Sequence, residues 1–122
     1  MTVKNIYLLS LALMNMTEDD ADYEDSTILG MLSVMANEVL DVSNTIAKRA
    51  GRNETPSVSV LQTMSENVPL EDKICQSVLP YGLAAKLMLE DDTTMASYFN
   101  AEYNQRLAQY MKPASTSIED VY

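Results

Sequence analysis

Histidine and tryptophan are absent from the 122 residues, and cysteine and phenylalanine each occur once. Without histidine there is no Ser-His or Cys-His nucleophile pair and no imidazole proton shuttle, and the commonest metal ligand is missing. A single cysteine excludes an internal disulfide and, with no histidine to help it, an ordinary structural zinc site. Cys75 stands in an apolar-periodic stretch and reads as a small buried hydrophobe, compatible with a reducing compartment. The three glycines, Gly30, Gly51 and Gly82, are too scattered to form a phosphate-binding loop. Together with only four prolines they leave too few turn signals for a many-stranded sandwich. Basic residues are also scarce, 8 Lys and Arg against 18 Asp and Glu, for a formal net charge of −10. Such a chain repels nucleic-acid phosphates and carries no polybasic segment for an anionic membrane surface. Its surface favours solubility and, if anything, a basic partner.

What remains is material for helices. Apolar residues make up 47% of the chain, with Leu, Met, Ala and Val prominent, and the length suits one domain. Thr2 can cap a first helix running to about residue 16, in which Val3, Ile6, Leu9, Leu13 and Met16 repeat at threes and fours. Leu8, Leu11, Ala12 and Met14 widen that stripe, so this helix is central to a core or set against a second chain. The apolar run 6–16 is too short to span a bilayer and is broken by Ser10 and Asn15. With only Lys4 before it and no cleavage site after it, it reads as a core helix and not a signal peptide, which places the protein in the cytoplasm where it is made.

Residues 17–25 hold six of the 18 carboxylates, Glu18, Asp19, Asp20, Asp22, Glu24 and Asp25, and read as a loop. An EF-hand needs Gly at the sixth loop position and Glu at the twelfth. Counting from Glu18, Asp19 or Asp20 places Tyr23, Glu24 or Asp25 at the sixth and Leu29, Gly30 or Met31 at the twelfth, so the motif fails. Weak cation binding by this loop stays open, and no cofactor or metal site is expected.

The second helix, from Asp25 or Ser26 to Arg49, has a seam at Ile28, Leu32, Met35, Val39, Val42 and Ile46. Lys48 and Arg49 suit its last turn, and Gly51 supplies a C′ residue. Residues 52–67 form a long connection, extended around Pro56 and Val58, with one helical turn through Val60, Leu61 and Met64; such a segment is either a plain surface loop or an arm toward a neighbour. The third helix starts near Pro69 and keeps Leu70, Ile74, Val78, Tyr81, Ala85 and Met88 in one phase, with a kink expected at Pro80 and a close backbone approach at Gly82. The fourth runs from Asp92 or Thr93 to about residue 112 and is stopped by Pro113. The expected fold is all-α: a small bundle of four main helices over residues 1–112, with a long loop between the second and third, followed by an extended C-terminal tail at 113–122.

With catalytic chemistry missing, interaction residues are the candidates for function. Leu8 and Leu11 belong to the widened surface of the first helix. Tyr98, Tyr103 and Tyr110 each join an apolar ring to a polar tip, which suits an interface. Ile118, Val121 and Tyr122 in the tail are placed to dock as an extended peptide on a partner.

In its helix order the chain resembles the phage head-to-tail connector (adaptor, or tail accessory) proteins that sit beneath the portal. The resemblance covers residues 2–111. It rests on the first helix followed by an acidic break, on Val34-Met35-Ala36-Asn37-Glu38-Val39-Leu40-Asp41-Val42, and on the Pro-plus-acidic lead-in Asn67-Val68-Pro69-Leu70-Glu71-Asp72. The most specific block is Leu79-Pro80-Tyr81-Gly82-Leu83-Ala84-Ala85-Lys86-Leu87-Met88-Leu89-Glu90-Asp91-Asp92, followed by Tyr98-Phe99-Asn100 and Tyr103. The family's long C-terminal extension is abbreviated here. The resemblance implies a structural virion protein of the neck, made in the host cytoplasm and assembled as a homo-oligomeric, usually dodecameric ring. That ring would bind portal and tail proteins while DNA passes through without sequence-specific contact, and no membrane or enzyme activity is involved. An acidic lumen would reduce sticking of the passing DNA. The alternative is an acidic regulatory or inhibitory binding module, such as a DNA mimic that occupies a basic site on a nuclease or polymerase.

Overall fold

The computed structural model describes residues 1–111. Among them the fold is all-α, with no strand; the nearest approach to one is an isolated antiparallel bridge between Thr2 and Asn67. The order is α1 (Val3–Leu13), a 3₁₀ turn (Glu18–Asp20), α2 (Asp25–Glu38), α3 (Leu40–Arg49), α4 (Asp72–Ser77), α5 (Leu79–Leu87) and α6 (Thr93–Met111). Two of the four expected helices are thus each broken once.

α1 starts as expected, with the Thr2 hydroxyl accepting from the Asn5 N–H at 3.1 Å. It stops short of residue 16 because Asn15 adopts the left-handed conformation, φ 58°. The Met16 N–H then reaches Leu11 O (2.9 Å) and the Asn15 N–H reaches Ala12 O (3.1 Å), a Schellman closure. Asparagine is the commonest non-glycine residue to accept that backbone conformation. The buried side of α1 is Val3, Ile6, Tyr7, Ser10 and Leu11. The expected phase through Leu9 and Leu13 is therefore corrected by about one position. Ser10 is tolerated inside because its hydroxyl donates to Tyr7 O at 2.7 Å.

The acidic stretch folds back on α1. Thr17 Oγ1 donates to Asp20 Oδ2 at 2.8 Å, and Lys4 pairs with Glu18. α2 and α3 carry the expected seam: Ile28, Leu32, Met35, Val39 and Val42 are all buried, and Ile46 is partly so. The bend between them lies at Val39 (φ −98°, ψ 3°), where neither Gly nor Pro marks it. The seam continues because Val39 N–H still donates to Met35 O and Val39 O still accepts from Ser43 N–H, each at 3.0 Å. Gly51 (φ 75°) closes α3 as expected, with Arg52 N–H on Ala47 O at 2.8 Å.

α4 begins at Asp72 rather than near Pro69, because the lead-in is tied elsewhere: Asn67 bridges to Thr2, and Val68 N–H donates to Met1 O at 2.9 Å. The break expected at Pro80 falls two residues earlier, at Val78 (φ −117°, ψ −57°). Pro80 thereby sits in the first turn of α5, where its missing N–H has no helical acceptor to lose. α5 is the central helix and packs against α1, α2, α4 and α6. Leu79, Leu83, Ala84, Ala85 and Leu87 are buried along it. α6 begins as expected, with Asp92 Oδ1 accepting from Met95 N–H at 3.0 Å. No described helix is long and apolar enough to cross a membrane.

The long connection is neither a free loop nor an outstretched arm. It is sewn along the α2–α3 face by side chains that stand in for a β-partner. Asn44 donates to Thr55 O and accepts from Thr55 N–H, both at 2.8 Å. Asn37 Nδ2 donates to Val58 O at 3.1 Å, and Ser33 Oγ accepts from Leu61 N–H at 2.9 Å. The spacing has a geometric cause. Seven residues of helix rise about 10.5 Å, and three residues of extended chain rise about 10 Å, so Asn44 and Asn37 meet Thr55 and Val58 in step. Val58, Leu61 and Val68 are buried, while Val60 is exposed, so no helical turn forms through Val60 and Met64. The far end of the strap caps α1: Val3 and Lys4 N–H groups donate to Glu66 O (3.0 Å) and Met64 O (2.8 Å).

Candidate functional site

Among the described residues no group of three acidic or cysteine side chains is placed to hold a metal ion, and the 17–25 loop forms no such cage. Cys75 is fully buried, and burial pushes its thiol up from 9.0 to about 11, which leaves it protonated and inert as a nucleophile at neutral pH.

The first surface is the outer side of α1. Asn5, Leu8, Leu9, Ala12 and Asn15 follow helical spacing and are all exposed, with Leu8 at 38% and Leu9 at 37%. None of them is charged. Leu11, expected beside Leu8, instead lies in the core at 1% exposure, because the true phase of α1 turns it inward.

The second surface is on α6. Tyr98 is 53% exposed and leans edge-on against buried Phe99, with ring centroids 5.4 Å apart. Tyr103, expected with it at an interface, is buried on the same side as Ala96 and Phe99. Burial, with Glu38 adding to it, pushes the Tyr103 phenol up from 10.0 to about 12. Its hydroxyl and Arg106 Nε are buried without a hydrogen-bond partner among the described residues. The Arg106 guanidinium stacks 4.1 Å over the Tyr81 ring and pairs with Glu102 at 3.4 Å. Tyr110 is half-buried, its hydroxyl 3.1 Å from Ser77 Oγ. Ile118, Val121 and Tyr122 lie outside the described residues.

Charge is distributed unevenly around these faces. The acidic loop raises the Tyr7 phenol, chiefly by burial and then by Glu18 beside it. Tyr23 is raised by burial and by Asp91, so the loop and the turn between α5 and α6 share one carboxylate-rich region. Between α3, α4 and the end of α6 lies an open groove of about 740 Å³. Ile46, Ala50 and Leu70 form its apolar part, and Arg49, Arg52 and Lys73 stand around it with Glu71 and Asp72. Arg52 pairs with Glu71, whose backbone N–H is held by Ser43 Oγ at 2.9 Å. Neither this groove nor the strap described above is expected from the sequence. The signal for the strap is the row of Ser33, Asn37 and Asn44 along otherwise apolar helices. No family model, curated protein or solved structure matches the chain.

Proposed function

We propose that the chain is a structural subunit of a phage head-to-tail connector, assembling as a ring between portal and tail. The observation that carries this reading is the presence of exposed apolar side chains on two different helices, Leu8 and Leu9 on α1 and Tyr98 on α6, in a chain of formal net charge −10. Ring subunits join head to tail, so two different faces of one chain must meet. A strongly like-charged chain resists self-association except where its surface is neutral. The residue-level resemblance to connector proteins supplies the identity of the ring, and DNA would pass through it without base-specific contact. The gathering of carboxylates around residues 17–25 and Asp91, rather than in rows along the helices, weighs against the DNA mimic.

The test is the mass of the purified full chain by light scattering, alone and with a portal protein, with electron microscopy of any large species. Closed rings in either condition support the reading. A monomer that ignores the portal, or a turnover that a point substitution abolishes, overturns it.

A further inference from the structure

Among the described residues, the groove between α3, α4 and the end of α6 is a concavity with a distinct chemistry. Its apolar part is Ile46, Ala50 and Leu70, and the surrounding cations Arg49, Arg52 and Lys73 outnumber the carboxylates Glu71 and Asp72. On a chain with formal net charge −10, that local excess of cations selects an acidic occupant with apolar side chains beside its carboxylates.

Such a segment is present in the same chain. Tyr110 lines the groove, and α6 ends one residue later at Met111. Residues 112–122 then follow, and their far end reads Ile118-Glu119-Asp120-Val121-Tyr122: two carboxylates flanked by apolar side chains. Extended chain advances roughly 3.3 Å per residue, so residues 112–122 can reach on the order of 35 Å from the groove's edge. A short tether also sets an effective concentration of about the millimolar range, which a second copy in dilute solution cannot match.

The geometry points to this groove as the docking site of the chain's own C-terminal segment, with Ile118 and Val121 on the apolar part and Glu119 and Asp120 on its cationic rim, Lys73 foremost. The contact is intramolecular and electrostatically guided, so added salt weakens it. It stands apart from ring formation and is read on the isolated chain.

The test uses the full-length chain with Ser117→Cys carrying a nitroxide; Cys75, at 0% exposure, does not compete for the tag. The backbone amide signals of Ala50, Leu70 and Lys73 are expected to broaden and to recover when the nitroxide is reduced. Adding Glu119→Lys and Asp120→Lys to the tagged chain is expected to abolish that broadening. Groove amides that keep full intensity overturn the proposal, as does broadening that survives the charge reversal. A mixture of tagged, isotopically silent chain with untagged, labelled chain separates the two sources. Broadening in the mixture that matches that of the tagged, labelled chain assigns the tail to a neighbouring copy and overturns the intramolecular contact.

Discussion

The ring of Tyr103 lies against the backbone of Gly82, so that a Cβ built on Gly82 would stand 2.7 Å from Tyr103 Cδ1 and 2.8 Å from Cε1. Met35 Cε closes the same space at 2.5 Å. The sequence leads one to expect a close backbone approach at Gly82; what approaches is a tyrosine ring from α6 and a methionine methyl from α2. The methyl can swing aside, but the ring is buried and cannot. Ala is the better helix former by about 0.5–1 kcal/mol, yet Gly82→Ala is expected to destabilise by about 1–3 kcal/mol through overpacking. Gly30 gives the matching control, since an added Cβ there meets nothing within 4 Å. Gly30→Ala is expected to raise the urea midpoint while Gly82→Ala lowers it. Equal shifts in the same direction would remove the steric account.

Alkaline pH should loosen the core through two buried acids. The Cys75 thiol rises from 9.0 to about 11 and the Tyr103 phenol from 10.0 to about 12. Each folded-state value lies above its unfolded one, so between them the unfolded chain has released a proton that the folded chain retains. Stability is then complete below pH 9 and declines as pH rises toward about 12. Tyr103→Phe is expected to flatten the upper part of that decline. At neutral pH the same substitution removes a buried hydroxyl that lacks a partner among the described residues, so it is expected to be neutral or to stabilise by about 1 kcal/mol. A urea midpoint that stays constant from pH 8 upward, or a marked loss in Tyr103→Phe at neutral pH, would contradict this placement of the phenol.

The strap is held by a handful of side-chain bonds, and its release should be local. Ser33→Ala leaves the buried Leu61 N–H without its acceptor, which costs about 1–3 kcal/mol. Asn44→Ala removes both bonds to the Thr55 backbone. Amide exchange at Thr55 and Leu61 is expected to accelerate in the corresponding variant while amides of α5 keep their protection. Unchanged exchange at both positions would mean that burial of Val58 and Leu61, and not the side-chain ladder, holds the segment.

These side chains also show where the sequence was readable. The seam of α2 and α3 is visible because Ile28, Leu32, Met35, Val39 and Val42 repeat without interruption, and Gly51 marks its end because few other residues take its backbone angle. Asn15 does the same work for α1 with a weaker signal. The bend at Val39 has no local mark in glycine or proline. Leu11 and Tyr103 turn inward for a shared reason that the sequence does not show: on a helix apolar nearly all round, or one with a loose period, the inward face is decided by the neighbouring helices. The strap depends on pairs such as Ser33 with Leu61, far apart in sequence, which no local pattern encodes. The acidic segment 17–25 was visible as a block of like charge, but its fold-back onto α1 depends on Lys4 meeting Glu18.

Core and interface can be separated by leucines of opposite environment. Leu83 on α5 is fully buried, whereas Leu8 and Leu9 on α1 are more than a third exposed. Leu83→Ala is expected to cost about 2–5 kcal/mol, as for buried leucines generally. The double substitution Leu8→Ser with Leu9→Ser sits at the surface and is expected to change stability by no more than about 0.5 kcal/mol per site. If the outer side of α1 is where copies meet, that mild change should nonetheless abolish higher assemblies in light scattering, while any Leu83→Ala chain that remains folded still assembles. The opposite pattern, assembly retained by the α1 variant at unchanged stability, would leave the proposed ring without one of its two faces, because the reading assigns Leu8 and Leu9 to the contact between copies.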